Sequence, residues 1–133
     1  MVSMRNVAAV GTAAASLVLV AGVVATAPAS AKSTVVIKTG TCSLGHTFKL
    51  KAKPDNGMLE VEWEVDQNRN GQRWTWAITH DGVVKKSGAA TTVAPSGSFT
   101  VTRRIVNAAG VHTISGAARN AVTGEICRGS LRI

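Results

Sequence analysis

Acidic side chains are scarce in this sequence: seven Asp and Glu stand against 15 Lys and Arg in 133 residues, a net charge of +8. There are only two cysteines, and aromatic residues make up 4% of the chain. With no third cysteine, a thiolate zinc site is excluded. His46, His80 and His112 stand far apart, and none has a partner at metal-ligand spacing. Neither a zinc triad nor a Ser-His-Asp site is signalled, so no catalytic residue, metal or cofactor is expected. Beyond residue 31 no stretch has the helical period, and there is no repeat, heptad pattern or low-complexity tail.

What is present begins with an export signal. Arg5 gives a short positive start, residues 7–24 are dominated by Ala, Val, Leu and Gly, and Ala29-Ser30-Ala31 is a small-x-small cleavage site behind Pro28. Residues 1–31 therefore read as a cleaved secretory signal peptide, the alternative being a retained membrane anchor. Residues 32–133 would form one domain, long enough to bury its own core. Without Arg5 that domain keeps 14 basic and seven acidic residues, a net charge of +7. Such an excess draws a secreted protein to polyanions such as wall teichoic acids or anionic lipid surfaces, or serves only its solubility. No signal for specific nucleic-acid binding is present. Outside the cell Cys42 and Cys127 would form a disulfide, tying the N-terminal segment to the last strand.

The most informative stretch is residues 59–80, which holds all three tryptophans. Leu59, Val61, Trp63 and Val65 alternate with Glu60, Glu62, Glu64 and Asp66, so a strand would place the two sets on opposite faces. After a turn, Trp74, Trp76, Ile78 and His80 line one face of a second strand. A four-residue hairpin loop at residues 68–71 would set Asp66 against Arg73, Val65 against Trp74 and Trp63 against Trp76. A similar loop at residues 54–57 would set Leu50 against Val61 and Phe48 against Trp63, with Lys51 facing Glu60 and Lys49 facing Glu62 outside. In that setting the glutamates read as a solvated ladder rather than a glycosidase pair.

Turn glycines recur at 57, 71, 82, 97, 110 and 124. That spacing argues an all-β antiparallel two-sheet sandwich, or a barrel, with Phe48, Trp63 and Trp76 supplying the aromatic interior. Residues 89–98 read as the loosest connection. Arg103 falls on the apolar face of its strand and marks a bulge or a strand end. The small residues Ser115, Gly116, Ala117 and Ala118 leave room for something large to lie over them.

Asp66-x-Asn68-x-Asn70-Gly71 matches the first half of a calcium loop, but Ala77 stands where a bidentate Glu is needed and Arg69 cancels the charge. Asn and Gly also suit an ordinary tight turn. The best candidate binding patch is Arg69, Arg73 and Trp74. A free Trp74 ring would offer a stacking platform for a sugar or an aromatic ligand with cations alongside, whereas a buried one would be core.

GSFTVTRRIVNAAGVHTISGAARNAVTGE, residues 97–125, resembles the end of a fibronectin type III or immunoglobulin-like domain, and VEWEVD, residues 61–66, resembles its early tryptophan-bearing strand. That resemblance implies about seven strands, with those flanking residues 68–71 in different sheets, which conflicts with the hairpin pairing above. The motifs KAKPDNG, VDQNRNG, APSGSF and TGEICRGSL make residues 32–133 similar to a group of small secreted actinobacterial proteins. This second resemblance implies an extracellular setting and brings no mechanism. The expected function is a non-catalytic secreted binding module for an anionic envelope polymer, a glycan or a protein surface. The alternative is a small secreted inhibitor or ligand carrier that presents residues 68–71 or 89–98.

Overall fold

A computed structural model describes residue 22 and residues 34–133, and there the chain is all-β. The leader expected over residues 1–31 lies outside the described residues, Gly22 apart. Eight strands follow in order: β1 (Val36–Thr41), β2 (Thr47–Asp55), β3 (Met58–Asp66), β4 (Arg73–His80), β5 (Val83–Thr91), β6 (Ser98–Val106), β7 (Thr113–Asn120) and β8 (Ile126–Arg132). They form two four-stranded antiparallel sheets, β1-β2-β3-β6 and β5-β4-β7-β8. The chain changes sheet after β3, β5 and β6, as an immunoglobulin or fibronectin type III-like sandwich requires. β1 adds an edge strand beside β2 and brings the count to eight.

The hairpin expected at residues 68–71 does not form. β3 pairs with β2 and β6, whereas β4 pairs with β5 and β7. The two strands belong to different sheets and turn their apolar faces into one core, where Trp63 lies against Gly116 of β7 and Trp74 against Phe99 of β6, so burying these rings needs no ladder between β3 and β4. Matching apolar faces are compatible with both arrangements.

The β2–β3 hairpin is real, but its loop has two residues. Asn56 and Gly57 both have positive φ (48° and 76°), the geometry of the turn that best matches strand twist. Each strand pair is therefore shifted by two from the four-residue register: Leu50 faces Trp63, Lys51 faces Glu62 and Lys49 faces Glu64. A shift of two preserves the faces, which is why the alternation alone was blind to it. Lys49 Nζ still reaches Glu62 Oε1 diagonally at 3.1 Å, and Lys53 reaches Glu60 at 3.5 Å. Glu62, and then Glu64, hold the Lys49 ammonium above its ordinary pKa.

The core lies between the sheets. Leu50, Leu59, Val61, Trp63, Val65, Trp74, Ile78 and Ile114 are fully buried, and each such aliphatic side chain stabilises the fold by roughly 1.5–3 kcal/mol. Trp63 stacks obliquely on Phe48, their centroids 5.3 Å apart. What lies over the small residues of β7 is Trp63: a Cβ at Gly116 would sit 2.4 Å from its ring. Arg103 marks no bulge. β6 keeps its register, and the Arg103 guanidinium lies 5.0 Å from the centre of the Trp76 ring at the margin of the core.

Cys42 and Cys127 are bonded, with Cα atoms 4.3 Å apart, joining the loop after β1 to β8 in the other sheet. Beside them the buried Glu125 accepts the amides of Leu44 and His46 on Oε2, while its Oε1 lies 2.5 Å from His46 Nδ1. Residues 89–98 are not a loose connection. Ala89, Ala90 and Thr91 belong to β5, and buried Thr92 accepts the Gln72 amide while donating its hydroxyl to the Arg69 carbonyl. The Gly71 amide bonds the Thr92 carbonyl, and Gln67 bonds Gly97. The two loops thus hold each other.

Candidate functional site

Strand alternation sorts the charged residues onto two unlike surfaces. On the outer face of the first sheet, Lys49, Lys51, Lys53 and Arg104 stand among Asp55, Glu60, Glu62, Glu64 and Asp66. These cations and anions largely neutralise each other, and Arg104 also reaches Asp55 at 3.4 Å. The remaining two of the seven acidic residues are Asp81, in the β4–β5 turn, and Glu125, which is buried.

The outer face of the second sheet consequently has no carboxylate. β4 turns Arg73, Thr75, Ala77 and Thr79 outward, because Trp74, Trp76 and Ile78 are drawn into the core. β7 turns Ser115, Ala117 and Arg119 outward, opposite buried Ile114 and Ala118. β8 contributes Ile126, Arg128, Ser130 and Arg132, opposite Cys127 and Leu131. In the ladder Thr75 lies beside Arg119, Ala77 beside Ala117, and Ala117 beside Arg128. The centre of the face is flat, made of alanines, threonines and serines, and the rim is arginine. Arg73, Arg119, Arg128 and Arg132 are all exposed, and among the described residues none takes part in an ion pair. A shallow groove of about 270 Å³ runs over it, bounded by Thr75, Ala77, Ala117, Arg119, Ile126 and Arg128.

This arrangement suits a flexible anionic chain. Adjacent strands are about 4.8 Å apart and alternate outward residues about 6.8 Å apart along a strand. Guanidinium groups on such a grid can each meet a separate phosphate or carboxylate, with bidentate geometry available to each. The small central side chains let a polymer backbone approach the sheet.

The patch proposed from sequence divides. Arg69 and Arg73 are exposed, but Trp74 is fully buried and cannot serve as a stacking platform. Its alternation with Arg73 puts the two on opposite faces. The Trp74 Nε1–H donates to buried Gln67 Oε1 at 2.9 Å, and Asn120 Nδ2 reaches the same oxygen at 3.3 Å. Asn120 Oδ1 in turn accepts the amides of Val122 and Thr123, closing the β7–β8 turn. In the Asp66–Gly71 segment, Asp66 Oδ1 accepts the Asn68 amide at 3.0 Å, the local bond of a tight turn.

Arg119, Arg128 and Arg132 are not among the candidate binding residues read from the sequence. The available signal was parity: each alternates with a core residue on its own strand. Their assembly into one face depends on β4, β7 and β8 being neighbours, which the sequence alone did not specify.

Folding also brings together two histidines that are 32 residues apart in sequence. His112 Nδ1 lies 2.5 Å from Asp81 Oδ2, and His80 Nε2 lies 3.6 Å from the same oxygen. The other carboxylate oxygen, Oδ1, accepts the Thr113 amide at 2.9 Å. These two bonds, His112 first, hold the Asp81 carboxyl below its ordinary pKa.

Comparison of the chain with protein-family models, curated proteins and solved structures finds no match. Among the described residues no helix is long and apolar enough to cross a membrane.

Proposed function

We propose that this chain is a non-catalytic, secreted binding module that takes an anionic polymer of the cell envelope across the outer face of its second sheet. The observation that carries this reading is the set of four exposed arginines, Arg73, Arg119, Arg128 and Arg132, on a face without a single carboxylate. A surface built only for solubility gains nothing from separating its charges in this way, since mixed signs serve that purpose better. The Cys42–Cys127 bond supports an oxidising compartment, where a lone pair of cysteines persists as a disulfide.

Binding of this kind is driven by counterion release and weakens steeply with salt. With about 0.7 counterions released per contact on a flexible polyanion, four arginines give a log–log slope near −3, or roughly a fifty-fold loss between 0.05 and 0.2 M salt. The test is retention on isolated cell walls at low and high salt, for the parent protein and for Arg119→Ser/Arg128→Ser. Retention at low salt that falls at high salt, and falls again in the variant, is expected. No retention at low salt, or retention indifferent to both changes, would end this reading.

A further inference from the structure

We infer that His80, Asp81 and His112 form a binding site for a borderline divalent transition-metal ion of the Zn²⁺ class. One ligand atom from each residue lies within 4.8 Å of the others. The turn that builds the site is tightly specified. Asp81 and Gly82 both have positive φ (49° and 81°), a two-residue reversal between β4 and β5 that turns the Asp81 side chain back toward the start of β7. The Thr113 amide then fixes the carboxylate through Oδ1, leaving Oδ2 for the histidines.

Three features of the histidines point to a cation. First, His80 Nε2 is buried and takes no hydrogen bond, although it lies 3.6 Å from Asp81 Oδ2. That spacing suits two ligands of one tetrahedral ion, which sit about 3.3–3.6 Å apart when each is about 2.0–2.2 Å from the metal. Second, His112 Nε2 lies 2.7 Å from the Ala109 carbonyl, an acceptor only, so Nε2 carries the proton. This is the arrangement that orients metal-binding imidazoles and leaves the other nitrogen as the donor atom. Third, the remaining nitrogen, Nδ1, meets the carboxylate oxygen at 2.5 Å. Two lone pairs cannot approach so closely without a positive centre between them. A proton fills that role in the apo protein, and a metal ion would replace it once the Nδ1–Oδ2 separation opens by about 0.8 Å to ligand spacing. Two imidazoles and one carboxylate select Zn²⁺, Ni²⁺ or Cu²⁺ over Ca²⁺ or Mg²⁺. The Asp81 side chain is 50% exposed, so a fourth coordination position opens to solvent.

The site is separate from the arginine face and does not depend on the proposal made for it. Its test is titration of the tag-free, disulfide-intact protein with Zn²⁺ against a chromophoric chelator, with ¹⁵N shifts of the histidine rings recorded alongside. One equivalent should bind, moving His80 Nε2 and His112 Nδ1 together. His80→Gln and His112→Gln should each weaken binding by at least about 100-fold, since groups that merely orient a ligand are already worth about 10- to 100-fold. Glu62→Gln, on the opposite sheet, should leave it unchanged. If no equivalent is taken up, or if zinc binds while the rings of His80 and His112 stay unmoved, the inference is overturned. The ring shifts are read on the parent protein, so the result stands even if a variant fails to fold.

Discussion

Gly116→Ala examines the sandwich at its tightest point. The new methyl would start 2.4, 2.6 and 2.8 Å from three carbons of the Trp63 six-membered ring, whereas carbon atoms rest about 3.5–4.0 Å apart. Trp63 is fully buried and its ring also stacks on Phe48, so it cannot swing aside. The sheets must separate locally by about 1 Å, and overpacking of this kind costs about 1–3 kcal/mol. The φ of Gly116 is not positive, so Ala is permitted there and regains about 0.4–1 kcal/mol by restricting the unfolded chain. A net loss of about 1–2 kcal/mol remains, which lowers Tm by roughly 5–15 °C in a domain of this size. Thermal and urea melts measure it, with an unchanged urea m-value showing that the native state stays compact. In a Trp63→Phe background the clashing ring is gone, and the same substitution should cost at least about 1 kcal/mol less. Neutral or stabilising behaviour of Gly116→Ala, or an equal cost in both backgrounds, would refute the packing described for Trp63.

Three other outcomes follow from the staples and the turn. Replacing both Cys42 and Cys127 by Ala opens an 85-residue loop and should cost about 2–5 kcal/mol, read as the shift in urea midpoint between the variant and the oxidised parent. Glu125→Ala leaves the Leu44 and His46 amides without their acceptor; a loss of about 2–4 kcal/mol is expected, with hydrogen exchange accelerating first at those two amides. In metal-free protein the Asp81 carboxyl should remain ionised at pH values where ordinary aspartates protonate, because its pKa is lowered chiefly by His112. Its stabilising contribution is therefore present above the ordinary carboxyl range and lost as pH falls through the lowered value. Carboxyl ¹³C titration follows this directly, and His112→Ala should return Asp81 toward ordinary behaviour.

Much of the fold was legible because β3 spells its two faces so clearly. Period-two alternation in Leu59 to Asp66 identified the strand, its buried side and β2 as the lysine-bearing strand beside it, though not which lysine faces which glutamate. The same symmetry hid what was missed. A register slip of two leaves every face unchanged, so the Asn56–Gly57 turn could be read two residues too long. Face matching cannot tell strands paired within a sheet from strands that feed one core from opposite sheets, so β3 and β4 looked like a hairpin. Arg103 looked like an interruption because nothing in the sequence shows that β6 lies at an edge, where a cation can cover Trp76. The candidate site was the least legible part. Arg73 was singled out for its proximity to Trp74 in sequence, although adjacent strand residues point apart. The arginine face and the His80–Asp81–His112 cluster exist only because β4 and β7 are neighbours, a long-range pairing that no local spacing encodes.

An amide chemical-shift titration at low salt with a short phosphodiester-linked anionic oligomer would locate the binding face. Shifts centred on Thr75, Ala77, Ala117, Arg119 and Arg128 are expected, disappearing as salt is raised. Shifts centred instead on the Lys49–Glu64 ladder of the opposite sheet, or none at low salt, would contradict the proposed function.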